Sequence, residues 1–312
     1  MFTASVVLAA LALTLAWPVP LVLARASWPS RAPGTALVLW QSIALAGGLS
    51  MIGSLLTYGL IPFGDNLITG GFGFVHHLLD GTLPPGANFT QMFALCLAAL
   101  LTGHLLLSLL LTVVRSELQR KRHLSLVNLL SAPLEGTPGT RVLDHPSPVA
   151  YCLPGTTSSV TVLSEGLLTL LDDNQLRAVV AHENAHLAQQ HHILLIAFKS
   201  WHSALPWFPI ANRAENAVAL LVEMLADDRA RRATDDQTLA TAIALVGSGA
   251  ATAPTSPELA WASRGEVEPG MVGPRVSRLL SPQHPLSSTA RAIVLLSATA
   301  LLVIPTVLLV LI

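Results

Sequence analysis

His182-Glu183-Asn184-Ala185-His186 sets two imidazoles four residues apart, with a carboxylate directly after the first. In a helix of about 3.6 residues per turn, His182 and His186 share one face, one turn apart. Imidazoles so placed can ligate one Zn²⁺ at about 2.0–2.1 Å. Glu183 stands beside that face, where it can take a proton from a water activated by the metal. Val179, Val180 and Ala181 precede the motif and Leu187 follows it, so the helix is at least half buried. Two histidines and a glutamate in such a place are costly without a partner, which favours a metal over a solvated surface.

A catalytic zinc takes three protein ligands and keeps one position open. His192, six residues after His186, is one source of the third. It would need the helix to break midway, where Gln189 stands instead of a glycine. The other source is Leu221-Val-Glu223-Met-Leu-Ala-Asp227. Glu223 and Asp227 lie one helical turn apart, so that Glu223 can bind the metal while Asp227 accepts the free N–H of a ligand imidazole. Glu215 and Asp228 compete for these roles but lack an Asp one turn on in apolar surroundings. A closed structural site, completed by His191, His192 or a cysteine, is the rival arrangement. It would make the chain a non-catalytic transmembrane transducer, but it has no use for Glu183.

The elements that must carry these residues follow from pattern. Arg141 to Asp144 and Val160 to Leu163 read as short strands, with Tyr151 to Gly155 as a turn-rich approach to the second. Val160 to Leu163 is the expected edge strand for an extended substrate. Ser164 to Leu171 predicts a short helix, and Asp172 to Asn174 an N-cap for a helix from about Gln175 to His191. Ile193 to Ile210, apolar but carrying Lys199 and His202, predicts a membrane-leaning helix. Ala214 to Ala233 predicts another helix, and Thr252 to Gly273 a Pro/Ser/Gly-rich loop.

The 312 residues taken together have the composition of a membrane protein: 52% are hydrophobic and only 11% charged, against roughly 25% charged in soluble domains. Uncharged runs at about 2–23, 36–61, 90–114 and 292–312 are each long enough for a hydrocarbon core of about 30 Å. The first lacks the basic start of a secretory signal and is expected to be retained, bent near Pro18 and Pro20. His104 lies in the third run and is expected to pack against a neighbouring helix. Arg115, Arg120, Lys121 and Arg122 crowd the exit from the third run, while 65–89 carries no Lys or Arg. Both termini are therefore expected outside and residues 115–291 in the cytoplasm. The expected domains are a membrane region at 1–114, a cytoplasmic domain at 115–291 and a closing span at 292–312. A net charge of -1 with no basic block argues against direct nucleic-acid binding. Two isolated cysteines, Cys96 and Cys152, offer no disulfide framework.

Leu153-Pro-Gly155, Val160 to Leu168, Leu176 to His186, Leu205 to Pro209 and Glu223 to Asp227 together resemble the gluzincin membrane peptidases. The likeness covers about residues 140–235. It is greatest to the M56 group, typified by the peptidase part of beta-lactam sensor-transducers, and extends to the related M48 peptidases. The resemblance implies a mainly α membrane protein: four transmembrane helices and a cytoplasmic α+β zincin-like metallopeptidase domain between the third and fourth. It implies one zinc per chain on His182, His186 and Glu223, with Glu183 as catalytic acid/base. His284-Pro285, with Arg291 beyond, resembles an M48 element that would bring His284 to the substrate or transition state. The implied activity is zinc endopeptidase, the implied partners the lipid bilayer, a protein substrate and, by analogy alone, a DNA-binding repressor. The sensors continue into an extracellular penicillin-binding domain, which this sequence, ending at Ile312, lacks; beta-lactam sensing is not expected of it.

Overall fold

The computed structural model describes residues 1–134, 137, 139–153, 160–205, 209–252, 269–281 and 284–311. The chain divides into two compact units, one of Met1–Thr112, Phe198–Val218 and Leu286–Ile312, the other of Val113–Ala197 and Ala219–Pro285.

The first unit is helical. α1 (Phe2–Ala16) gives way at Trp17 to α2 (Pro18–Arg25), Pro18 taking the first helical position, where its missing N–H has no partner to lose. α3 (Pro33–Gly59) follows, then α4 (Leu67–Leu79), capped by Asn66, and α5 (Phe89–Leu130), which runs on into the second unit. α12 (Ser288–Val310) closes the unit. Among the described residues, four helical stretches are long and apolar enough to cross a membrane: Phe2–Arg25, Pro33–Gly59, Phe89–Leu130 and Ser288–Val310. Leu100 and Leu296 stay 71% and 69% exposed, an outer surface compatible with a multi-pass membrane protein and costly in water.

α3 is the hub, packing against α1 and α12. Small buried residues, Ala46, Gly48, Ser50 and Gly53, line it and let backbones approach where no hydrophobic drive exists between helices. A Cβ at Gly53 would come within 2.9 Å of Leu309 on α12. Ser54 Oγ donates to Ser5 O at 2.9 Å, tying α3 to α1.

The stretch expected to lean on the membrane forms α8 (His191–Ala204), and its second half lies with the first unit. Ser108 Oγ of α5 donates to Ser200 O at 3.1 Å, and His104 Nε2 donates to Ala204 O at 2.9 Å. His104 thus satisfies a carbonyl at the end of α8 that has no partner within the helix. Pro206, Trp207 and Phe208 lie outside the described residues.

The second unit holds a mixed four-stranded sheet: β1 (Ser131–Pro133), β2 (Thr140–Leu143), β3 (Ala150–Leu153) and β4 (Val160–Ser164), in the order β1-β2-β4-β3. β4 pairs parallel with β2, Arg141 opposite Val162, and antiparallel with β3, Cys152 opposite Thr161. Two expectations are corrected here. Tyr151 to Leu153 is strand rather than turn, and the edge beside β4 is β3, so β4 is interior. The consecutive burial of Val162 and Leu163 reflects that double pairing. Pro154 and Gly155, part of the same expected turn, lie outside the described residues.

Ser164 caps α6 (Glu165–Leu170) by accepting from Leu167 N–H. Asp172 and Gln175 form a capping box at α7 (Asp173–Ala188). α7 ends three residues earlier than expected because Gln190 adopts φ 50, and α8 starts afresh at His191. α9 (Pro209–Ala230) and α10 (Asp236–Thr252) follow. α11 (Pro269–Leu280) begins inside the stretch expected to be loop, whose residues 253–268 lie outside those described. α7 is held on both flanks. Val179 joins Leu163, Leu167 and Ala242, while Ala178 joins Leu239, Ile243 and Leu279.

Candidate metal centre

α7 brings His182 and His186 onto one face, and α9 sets Glu223 against them. His182 Nε2 lies 3.1 Å from His186 Nε2 and 3.2 Å from Glu223 Oε2, and His186 Nε2 lies 3.4 Å from Glu223 Oε1. A tetrahedral site with bonds of about 2.0–2.1 Å has ligand atoms about 3.3 Å apart. Two imidazole nitrogens and a carboxylate oxygen at such spacing fit zinc, and among the described residues this is the group able to hold a metal.

The ligand face is braced from behind. His182 Nδ1 donates to Asp227 Oδ1 at 2.9 Å. Arg275 of α11 donates to the same carboxylate through Nε at 2.9 Å and Nη2 at 2.7 Å, and its Nη1 lies 2.9 Å from Glu223 Oε2. His186 Nδ1 faces His191 Nδ1 at 3.0 Å. If Nε2 of His186 binds a metal, its proton sits on Nδ1 and His191 accepts it. His191 therefore touches the back edge of the His186 ring, away from the nitrogens that face Glu223. Gln190, in the left-handed region, makes the reversal that returns His191 to that ring.

Arg275 and His191 are the site residues the sequence did not disclose. Arg275 is 93 positions from His182, on a helix read as partly loop, and no spacing rule links the two. In the sequence His191 reads only as a candidate fourth ligand of a closed site. The remaining residues stand elsewhere: Glu215 pairs with His202, and Asp228 with Arg278 at 2.8 Å. His284 is exposed and outside the cluster. The side chain of His192 lies outside the described residues.

Charge in the site is set by these contacts. Burial and the Arg275 charge both oppose protonation of His182, yet hydrogen bonds to Asp227 and Glu223 prevail and raise its pKa to about 9. Burial lowers His186 to about 4. Burial pushes Glu223 up, but the His182 hydrogen bond and the His182 and Arg275 charges bring it to about 2, and the same two partners depress Asp227. Glu183 is pushed up to about 7, chiefly by burial and by the Glu223 charge, against the pull of His182, Arg275 and the Cys152 backbone. A carboxylate near neutrality can both accept and return a proton.

Residues 115–255 match peptidase family M48. The match relates this part of the chain to metallopeptidases that are typically zinc-dependent, and it contains His182, Glu183, His186, Glu223 and Asp227. Arg275 and His284 fall beyond it. No curated protein and no solved structure matches the chain.

Proposed function

We propose that the chain is an integral membrane, zinc-dependent endopeptidase that hydrolyses peptide bonds in a protein substrate. The observation that supports it most is the 3.1–3.4 Å spacing of the His182, His186 and Glu223 donor atoms next to the Glu183 carboxyl. One zinc per chain, when bound, would polarise the scissile carbonyl and acidify water. Glu183 takes the proton from that water and returns it to the leaving amine. Asp227, itself held by Arg275, fixes His182 in the tautomer that leaves Nε2 free to ligate. Among the described residues β3 is the edge strand next to β4, and an extended substrate adds to it by backbone hydrogen bonds. Cys152 of that strand hydrogen-bonds Glu183 through its backbone, which sets the edge beside the acid/base.

In this reading the catalytic unit faces the cytoplasm and the chain stands with the M56 group, on the order of three apolar helices, a catalytic region and a last apolar helix. A DNA-binding repressor is the substrate suggested by that kinship, with His284 contacting substrate. The test is cleavage of casein, an unstructured protein, by purified chain. Wild type should cut it with added zinc and lose the activity to a chelator; Glu183→Gln should not cut it. Equal cleavage by both would refute the proposal.

A further inference from the structure

In the first unit, α1, α3, α5, the end of α8 and the start of α9 surround a cavity of about 590 Å³. No Asp, Glu, Lys, Arg or His is among its described lining residues, and its one hydroxyl, Ser54 Oγ, is already spent on Ser5 O. The tryptophan ring of Trp201 forms one wall against α3. It reaches there because residue 48 is glycine: a Cβ would come within 2.9 Å of Trp201 Cη2. α3 lines the cavity from Trp40 to Leu55, a length of about 22 Å at 1.5 Å per residue.

We propose that this cavity holds one acyl chain of a bilayer phospholipid. Its volume over that length, widened on every side by the ~1.4 Å radius of a water molecule, leaves a mean width of about 9 Å, short of the roughly 10–12 Å of a helix with its side chains. An extended peptide is excluded on other grounds, because its backbone groups would find no partners on these walls. Water is poorly held in a cavity without polar groups. A single hydrocarbon chain needs neither width nor partners. In a bilayer core of about 30 Å each leaflet's chains reach about 15 Å, so the cavity accepts one along its full length. It is also continuous with the outer apolar surface: Leu13 and Leu97 line it while staying 71% and 39% exposed. A chain can therefore enter sideways from the lipid.

The proposal rests on the membrane reading of α1, α3 and α5 and is independent of the metal site, so Glu183→Gln should behave as wild type throughout. The full chain is placed in phosphatidylcholine vesicles containing a trace of the same lipid with a diazirine on its palmitoyl chain. After photolysis, labelled peptides are mapped. Label should concentrate on cavity-facing Ala44, Gly47 and Trp201 and be competed away by unlabelled lipid. Ala44→Leu and Gly47→Leu should lose the cavity label, whereas Leu45→Phe, on the exposed side, should keep it. Gly47 is suited to filling because a Cβ there meets Leu15 only at an ordinary 3.7 Å. Should the filled variants fail to fold, competition and mapping on wild type still decide. Label spread over exposed positions such as Leu45 and Leu49, with none in the cavity, overturns the proposal. So does cavity label from a palmitoylated peptide that phospholipid cannot compete away.

Discussion

Arg275 grips the Asp227 carboxylate with two N–H donors, at 2.9 and 2.7 Å, and both residues are almost wholly buried. Removing one partner of such a pair typically costs about 3–5 kcal/mol, because the other is left charged without compensation. Arg275→Ala should therefore lower the stability of metal-free protein by about that amount. Zinc should restore part of it by bringing positive charge back to Glu223. Chemical unfolding with chelator and with zinc measures both; an unchanged midpoint with chelator would contradict the bracing role.

Metal binding should release one proton. His182, at about 9, is charged in the metal-free site at neutral pH, while His186, at about 4, is already neutral. Zinc requires the neutral ring. Affinity should therefore rise about tenfold per pH unit from pH 6.5 to 9 and level off above. The raised pKa has the opposite effect on metal-free protein. Its stabilisation is complete below about pH 6.5 and is lost as pH climbs through 9. Chelator competition and thermal unfolding across this range check the two slopes.

Glu183→Gln keeps the side chain's size and touches no proposed ligand, so zinc should stay. Cleavage should fall by about 10²–10⁴, the usual worth of such proton transfer. Asp227→Asn should cost about 10–100-fold in metal affinity or activity. Excess zinc should rescue Asp227→Asn in part and Glu183→Gln not at all.

His182→Ala, His186→Ala and Glu223→Ala should each lose most of the zinc, three ligands leaving little redundancy, while His192→Ala keeps it. His191→Ala should weaken zinc by about 10-fold, the lower end of losses behind a ligand. Metal analysis of the purified variants distinguishes these. Zinc loss in His192→Ala together with retention in Glu223→Ala would reassign the third ligand.

Reporter fusions after Gly81 and after Leu124 should give opposite compartments, because basic residues crowd the exit from the third span while 65–89 carries none. The same compartment at both sites would remove the span between them.

What the sequence disclosed was local. His182 with His186, and Glu223 with Asp227, are one-turn pairs that helical periodicity alone puts on shared faces. Asp172 to Asn174 likewise announce the start of α7 by their capping chemistry. Contacts made by tertiary packing left no such trace. Arg275 meets Asp227 only because α11 docks where it does, and its 48-residue separation from that partner has no period to detect. His191 returns to His186 through the left-handed Gln190, a conformation that a non-glycine residue adopts without advertisement. β3 reads as turn because Pro154 and Gly155 follow it closely, and β4 as an edge because periodicity does not reveal how many neighbours a strand has.

The charges behind the ligand face have one more consequence. Without a metal, protonated His182 and Arg275 already offset Glu223 and Asp227, so the pocket is electrically complete before any ion arrives. Small zinc domains fold only when metal gathers their ligands; paired charges of this kind predict instead a native circular-dichroism spectrum in chelator. If the chain is the zinc peptidase proposed above, it would stand assembled but silent until zinc is supplied.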